Sequence, residues 1–579
     1  MRWSSSIPIY AAVASGLGSD GGESEGNEVD LKWYPPANTS VNDLGTALNG
    51  TGVYGFIFNS SYTPDEAYGT YNWCNMPHVR RQEYPMPPPE YELKYVEVIQ
   101  RHHKRTPYAS NAFPVEPYHW DCDDEGLFYY GSPFEGDKRP AKGYWAGFTS
   151  TVNPFAPSGW VGTCSFPQLT SAGLDDAYVH GQDIYGVYHD LLGFLPSRDQ
   201  EGEDWREGGK VMYRVTQNVI TSQVAGMLIS GTWAAPDDDA NVPLLVEAAG
   251  VDSLEPQYPC AAGNELSNRI KSDADAAWRA HLEGAKELYA SLDDVSGVPP
   301  DDAGFHASFD HYFDNLSARQ CHDKPLPCKL NSDSEQSRAP CIDQALADAV
   351  YRLGEWEYAH MYRASPLSLA ASVSTYGVWI AELAAHLRDA MTTTTTSDND
   401  SESNYVTSDN RPRKGSNRNE KKTPPLYFHN VAHDGSVSRL LSILQIDDMV
   451  WPGMGSEVVF ELYVEKKMKK RKSKKDPGTG AGTGTGTGKK KTERKETGTG
   501  AANPGASTRT RTHARIRSTR SESGYYLRVL FSGQVLRSSN PSLGVMDMVP
   551  LETVLAYFDG LVGKDASLVL GKCNGTITS

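Results

Sequence analysis

In the stretch RHHKRTP, Arg101 to Pro107, two histidines and three cations follow directly on an apolar-alternating run, YVEVIQ. Arg101 and Arg105 stand four positions apart just past that run, and their planar guanidinium forks suit the oxygens of a phosphate. His102 between them carries an imidazole, a nucleophile or proton carrier near neutral pH. A second pair, His433 and Asp434, follows another strand-like run, PLYFHNVA, and precedes a helix opened by Gly435 and Ser436. Alone, an HD pair at a strand end reads as a helix cap beside a satisfied core histidine. Its pairing with RHxxRxP changes that reading. Attack on a phosphomonoester needs its charges neutralised, an uncharged nucleophile and a proton for the departing alkoxide. One site built from these five residues could supply all three.

Two competing motifs fail on spacing. His429 and His433 are four apart but lie across a strand-to-turn, where that spacing does not converge on a metal. The run GTGTGTGKKKT places its glycines only at even separations, whereas a phosphate loop needs GxxxxGK. No metal or cofactor is assigned.

The pattern RHxxRxP with a distant HD resembles the histidine acid phosphatase family, in its acid phosphatase and phytase branch, whose signature is RHGxRxP followed much later by HD. The likeness extends through HDGSVSRLLSIL, PGMGSEVVFELY (Pro452 to Tyr463) and YYLRVLFSGQVL, and covers about Leu93 to Cys573 apart from two insertions. It implies an α/β fold with a mixed, phosphoglycerate-mutase-like sheet and an inserted helical domain. It implies hydrolysis of a small phosphomonoester through a phosphohistidine, with an acid pH optimum. His102 would be the nucleophile and Asp434 the proton donor, with Arg101, Arg105 and His433 on the phosphate. Neither nucleic acid nor membrane is expected as a partner.

Three positions depart from the family pattern. His103 stands where the family usually has Gly, so its ring must point away from the phosphate or crowd it. The family's RxTxxxRT pattern, matched on Arg214 and Thr216, puts Ile220 where a third phosphate-binding Arg would be; Arg214 or Asn218 could substitute. HDGS lacks the Asn that phytases show after the Asp, so phytate specificity is not supported. These departures motivate an alternative: a catalytically weak relative that binds a phosphorylated or polyanionic ligand.

The elements that must position these residues follow from periodicity. Segment 1–25 has one cation and a short apolar stretch broken by Pro8, a weak signal peptide. Segment 26–92 is rich in Gly, Pro, Asn and Tyr and reads as an irregular arm. From 93 to 260, apolar runs alternate with Gly- and Pro-rich loops, as in an α/β layer. From 261 to 391, apolar spacings of three and four predict helices, including PLSLAASVSTYGVWIAELAAHL as a core helix. A low-complexity loop spans 392–424, and 425–579 completes the α/β core around a basic insertion at 466–523.

Formal net charge is −18, but Lys466 to Arg520 holds 18 Lys plus Arg against three acids, leaving −18 − 15 = −33 elsewhere. So acidic a body argues against polyanion binding outside that segment. Eight cysteines without a CxxC pair suit disulfides. With six NxS/T sequons, at Asn38, Asn49, Asn59, Asn315, Asn399 and Asn574, they predict a secreted or vacuolar glycoprotein.

Overall fold

The computed structural model describes residues 29–57, 68–114, 119–122, 127–129, 142–144, 150, 152–154, 162–198, 209–234, 242–329, 340–392, 424–466 and 521–577. The expected signal segment, most of the low-complexity loop and most of the basic insertion lie outside these residues.

After a short helix α1 (Leu44–Asn49) comes the central strand β1 (Tyr91–Arg101). A small ribbon, β2 (Leu127–Tyr129) with β3 (Lys142–Tyr144), precedes α2 (Ser171–Tyr185), β4 (Val211–Val215), α3 (Val219–Trp233) and β5 (Leu244–Leu245). Six helices follow: α4 (Ala261–Ile270), α5 (Ala276–Gly284), α6 (Lys286–Ser296), α7 (Asp310–Gln320), α8 (Gln344–Ala359) and α9 (Ser368–Thr392). The chain returns through β6 (Tyr427–Ala432), α10 (Asp434–Ile443), β7 (Glu457–Glu465), β8 (Tyr525–Phe531) and β9 (Gln534–Val535). It closes with β10 (Val549–Pro550), α11 (Leu551–Val562) and α12 (Val569–Cys573).

The main sheet has the order β10-β8-β7-β1-β6-β4-β5, with β9 on β8. Strands β1, β6, β4 and β5 run parallel, whereas β7, β8 and β10 add antiparallel neighbours. The expected mixed α/β sheet with a helical segment between β5 and β6 is therefore present. Strand β1 is buried from Tyr95 to Arg101 because helices cover both faces of the sheet. On one face α9, α10 and α11 pack over Tyr95, Ile99, Phe428 and Phe460. On the other, α2 and α3 enclose Val96, Val98 and Tyr213.

The helical segment divides in two. Helices α5 to α8 form their own core with α1, including Trp278, Phe309, Phe313 and Trp356. Helix α9 instead packs on α4, α10, α11 and α12 and belongs to the sheet's cover. Its burial accounts for its apolar composition, and no single helix among the described residues is long and apolar enough to cross a membrane.

The N-terminal arm is mostly irregular yet buries Trp73, Cys74, Met76 and Val79. All eight cysteines pair, as Cys74–Cys321, Cys122–Cys164, Cys260–Cys573 and Cys328–Cys341. The first bridge fastens the arm to the residue after α7. Of the sequons, Asn315 is fully buried within α7, where it accepts from Arg319 and donates to the Asn111 carbonyl, so it cannot carry a glycan.

The basic insertion leaves from β7 and re-enters at β8, whose ends pair directly, Val464 opposite Tyr525. Closing a longer loop costs only about 0.6 kcal/mol per doubling of length. Replacing 467–520 with a short Gly/Ser linker is expected to leave the denaturation midpoint and catalysis nearly unchanged. A stability loss above about 3 kcal/mol would show that the segment packs on the body.

Candidate active site

Ala432 of β6 lies opposite Arg101 of β1 in parallel register. Parallel strands end on the same edge of a sheet, so the residues that follow them are delivered to one place. The His102 N–H extends the ladder to the Ala432 carbonyl at 3.1 Å. The rings of His102 and His433 sit 5.5 Å apart, edge to face. A cavity of about 370 Å³ opens there, lined by Arg101, His102, Arg105, His433 and Asp434 together.

His102 Nδ1 lies 3.0 Å from the His103 carbonyl oxygen. A carbonyl only accepts, so Nδ1 carries the proton and Nε2 keeps its lone pair. Arg105 Nε is 3.5 Å from that Nε2. Burial first, then the charges of Arg105 and Arg101, hold the His102 pKa well below 6.5. The imidazole therefore stays uncharged in mild acid.

Each arginine is held by a counter-charge. Arg101, buried, donates from Nη1 to the Pro452 carbonyl at 2.6 Å, pairs through Nη2 with Asp434 Oδ2 at 3.2 Å and lies over the Trp73 ring. Arg105 Nη1 donates to Asp314 Oδ1 at 2.9 Å, and its guanidinium covers the Tyr108 ring. Asp314 is fixed in turn by the Tyr108 N–H at 3.0 Å and Asn111 Nδ2 at 2.9 Å.

His433 Nε2 lies 3.0 Å from Thr216 Oγ1, and burial lowers its pKa to about 4. Asp434 is the first residue of α10, where the helix dipole favours a carboxylate. Its Oδ1 accepts from the Gly435 N–H at 2.7 Å and its Oδ2 from Trp451 Nε1 at 2.9 Å. Burial raises its pKa, but Arg101, Trp451 and Arg105 outweigh burial and keep it below 3.8.

The positions that depart from the family pattern resolve as follows. The His103 ring turns away from the cavity, with Nε2 3.2 Å from His180 Nδ1; His180 Nε2 in turn meets Glu457 Oε2 at 3.0 Å. The His103 ring lies close against Gly455, at φ +72°, where an added Cβ would come within 2.3 Å of the ring. Arg214 does not line the cavity, which corrects its expected place on the phosphate. Its guanidinium is taken by Glu382 at 2.8 Å and by Glu247, Asp252 and Ser253. Asn218 caps α3 and donates to the Tyr108 hydroxyl at 3.2 Å. Ile220 is fully buried among Leu169, Val215, Val224 and Val431. Among the described residues the cavity's third cation is Arg439, occupied by the Gly435 carbonyl and the Thr375 hydroxyl.

Sequence reasoning missed Thr216 as the His433 partner, Asp314 as the Arg105 counter-ion, and the lining residues Trp73, Trp451, Glu255 and Asp310. Only Asp310 and Asp314 left a signal: carboxylates spaced i, i+4 on a predicted helix must share a face.

No protein-family model and no curated protein matches the chain. Solved structures do. A phytase from Klebsiella sp ASR1 aligns at 12% identity and TM-score 0.38, covering 83% of this chain and 97% of that one. A phytase from D. castellii aligns at 11% and 0.39, covering 89% and 92%. A multiple inositol polyphosphate phosphatase from Bifidobacterium longum aligns at 12% and 0.34, covering 68% and 88%. At these values the likeness carries no functional argument, which rests on the cavity. The names these neighbours carry are phytase and inositol polyphosphate phosphatase.

Proposed function

We propose that the chain is a phosphomonoesterase of the histidine phosphatase type, working through a phosphohistidine at acid pH. The observation that carries this reading is the state of His102: its Nδ1–H is engaged by a carbonyl, so its Nε2 carries the lone pair, met only by a long 3.5 Å contact from Arg105 Nε, at a cavity lined by two buried arginines.

Arg101 and Arg105 hold the non-bridging phosphate oxygens, with His433 as a further contact. The His102 Nε2 lone pair forms an N–P bond as the P–O bond to the alcohol breaks, and Asp434 protonates the departing oxygen. Water then attacks phosphorus, Asp434 takes its proton, and the N–P bond breaks to release phosphate. In the free site Arg101 and Trp451 hold Asp434 as an anion, so its proton must come from acid medium. A bound phosphate weakens that hold by engaging Arg101 and adding negative charge beside the carboxyl. Four disulfides support an oxidising compartment, secreted or vacuolar.

The test is phosphate release from an aryl phosphate across pH 3 to 8. A nucleophilic histidine of depressed pKa stays neutral as pH falls through 6.5 and is lost only well below it. The acid limb of kcat/KM is therefore expected well under pH 6.5; a limb at 6.5 would contradict the assignment. No turnover at any pH would favour a ligand-binding role, the reading that Ile220 in the place of a third arginine supports.

A further inference from the structure

The cavity's lining carries more acidic than basic side chains. Its lining carries Arg101, Arg105 and Arg439 against Glu255, Asp310, Asp314 and Asp434, three positive groups against four negative. Two of the cations are matched by carboxylates, Arg101 with Asp434 and Arg105 with Asp314. Arg439 is turned to the Gly435 carbonyl at 2.9 Å and the Thr375 hydroxyl at 3.0 Å. Glu255 and Asp310 remain, against Arg439, whose two partners are neutral. The basic group beside Glu255 is the His433 imidazole at 3.8 Å, uncharged above about pH 4. Asp310 stands one helical turn before Asp314 on the same face of α7. Once a phosphate dianion engages Arg101 and Arg105, Glu255 and Asp310 leave the rest of the lining with more negative than positive charge.

We propose, on the basis of the phosphatase reading above, that Glu255 and Asp310 select a monophosphate whose alcohol carries an ammonium group and reject polyphosphorylated alcohols. An ammonium two carbons from the ester oxygen would offset part of this excess negative charge, with Tyr108 and Tyr358 also lining the cavity. A second phosphate would meet two carboxyls in a site of low dielectric, with Arg439, already hydrogen-bonded to Gly435 and Thr375, as the one lining cation without a carboxylate partner among the described residues.

The selection depends on pH. Asp310 is pushed up to about 7 by burial, then by Asp314 on its own helix, Asp434 of α10 and Glu357 of α8, with Arg105 opposing. Below that value its carboxyl is neutral and the lining loses part of its negative charge.

The experiment compares calorimetric Kd values of O-phosphoethanolamine, n-propyl phosphate and inositol hexakisphosphate at pH 7.5 and 5, in the His102→Ala protein, which cannot consume them. O-phosphoethanolamine is expected to bind about 10-fold more tightly than its near-isosteric propyl analogue at pH 7.5. That ratio should shrink at pH 5 and on adding Asp310→Asn or Glu255→Gln, and the hexakisphosphate should bind no better than propyl phosphate. A ratio near one, a ratio untouched by both substitutions, or tightest binding of the hexakisphosphate would overturn the proposal. If His102→Ala does not fold, the same ratios of kcat/KM in the unsubstituted protein decide it. Failure of the protein to hydrolyse any aryl phosphate would instead remove the phosphatase reading and leave the Kd comparison standing.

Discussion

His102→Ala is expected to abolish turnover, by at least about 10³-fold in kcat, and to leave no acid-labile phosphoenzyme after quenching. The expectation follows from where the lone pair is. Among the described residues that line the cavity, the imidazoles are His102 and His433, and the His433 Nε2 is engaged with Thr216. His103 cannot take over, because its ring points to His180 and is walled off by Gly455. Trapping with labelled aryl phosphate distinguishes the outcomes. A phosphoenzyme that persists in His102→Ala would place the nucleophile elsewhere and undo the mechanism.

The parts of the site that sit on one strand edge were legible in the sequence. A parallel sheet carries strand-end residues to a common edge, so RHxxRxP after YVEVIQ and HD after PLYFHNVA had to meet once the two strands became neighbours. The family pattern misled at Arg214, offered as a substitute for the missing third arginine. Arg214 lies in β4, beside β6, but Glu247, Asp252 and Glu382 come from other segments, and three carboxylates claim the guanidinium before a phosphate could. The counter-ions and walls were illegible for a related reason. Asp314, Trp73 and Trp451 reach the cavity from a helix, an irregular arm and a loop, through packing that no local periodicity encodes. Trp73 in particular lies in a stretch that reads as an irregular arm, yet it packs against Phe313 and Trp451 with ring centroids 4.4 and 5.0 Å away. The helix α9 was legible as a helix but not as a cover for the sheet, because its composition is equally apolar in either role.

Asp434→Asn should separate leaving groups by their need for a proton. An alkyl alkoxide cannot depart unprotonated, so kcat for alkyl phosphates is expected to fall by about 10² to 10³, whereas an aryl phosphate should lose less than about 10-fold. The substitution also removes the carboxylate 3.2 Å from Arg101 Nη2. That guanidinium then faces the phosphate without competition, so KM should fall rather than rise. The amide can still accept from Trp451 Nε1, which lies 2.9 Å from Oδ2, so the loop position is retained. Loss of the carboxyl should also flatten the pH dependence of the alkyl reaction, since the group that must take up a proton is gone. The combination of lower KM, a steep leaving-group effect and a flattened profile belongs to a proton donor beside a phosphate-binding arginine. An equal loss on aryl and alkyl substrates with raised KM would instead make Asp434 a residue that merely orients Arg101.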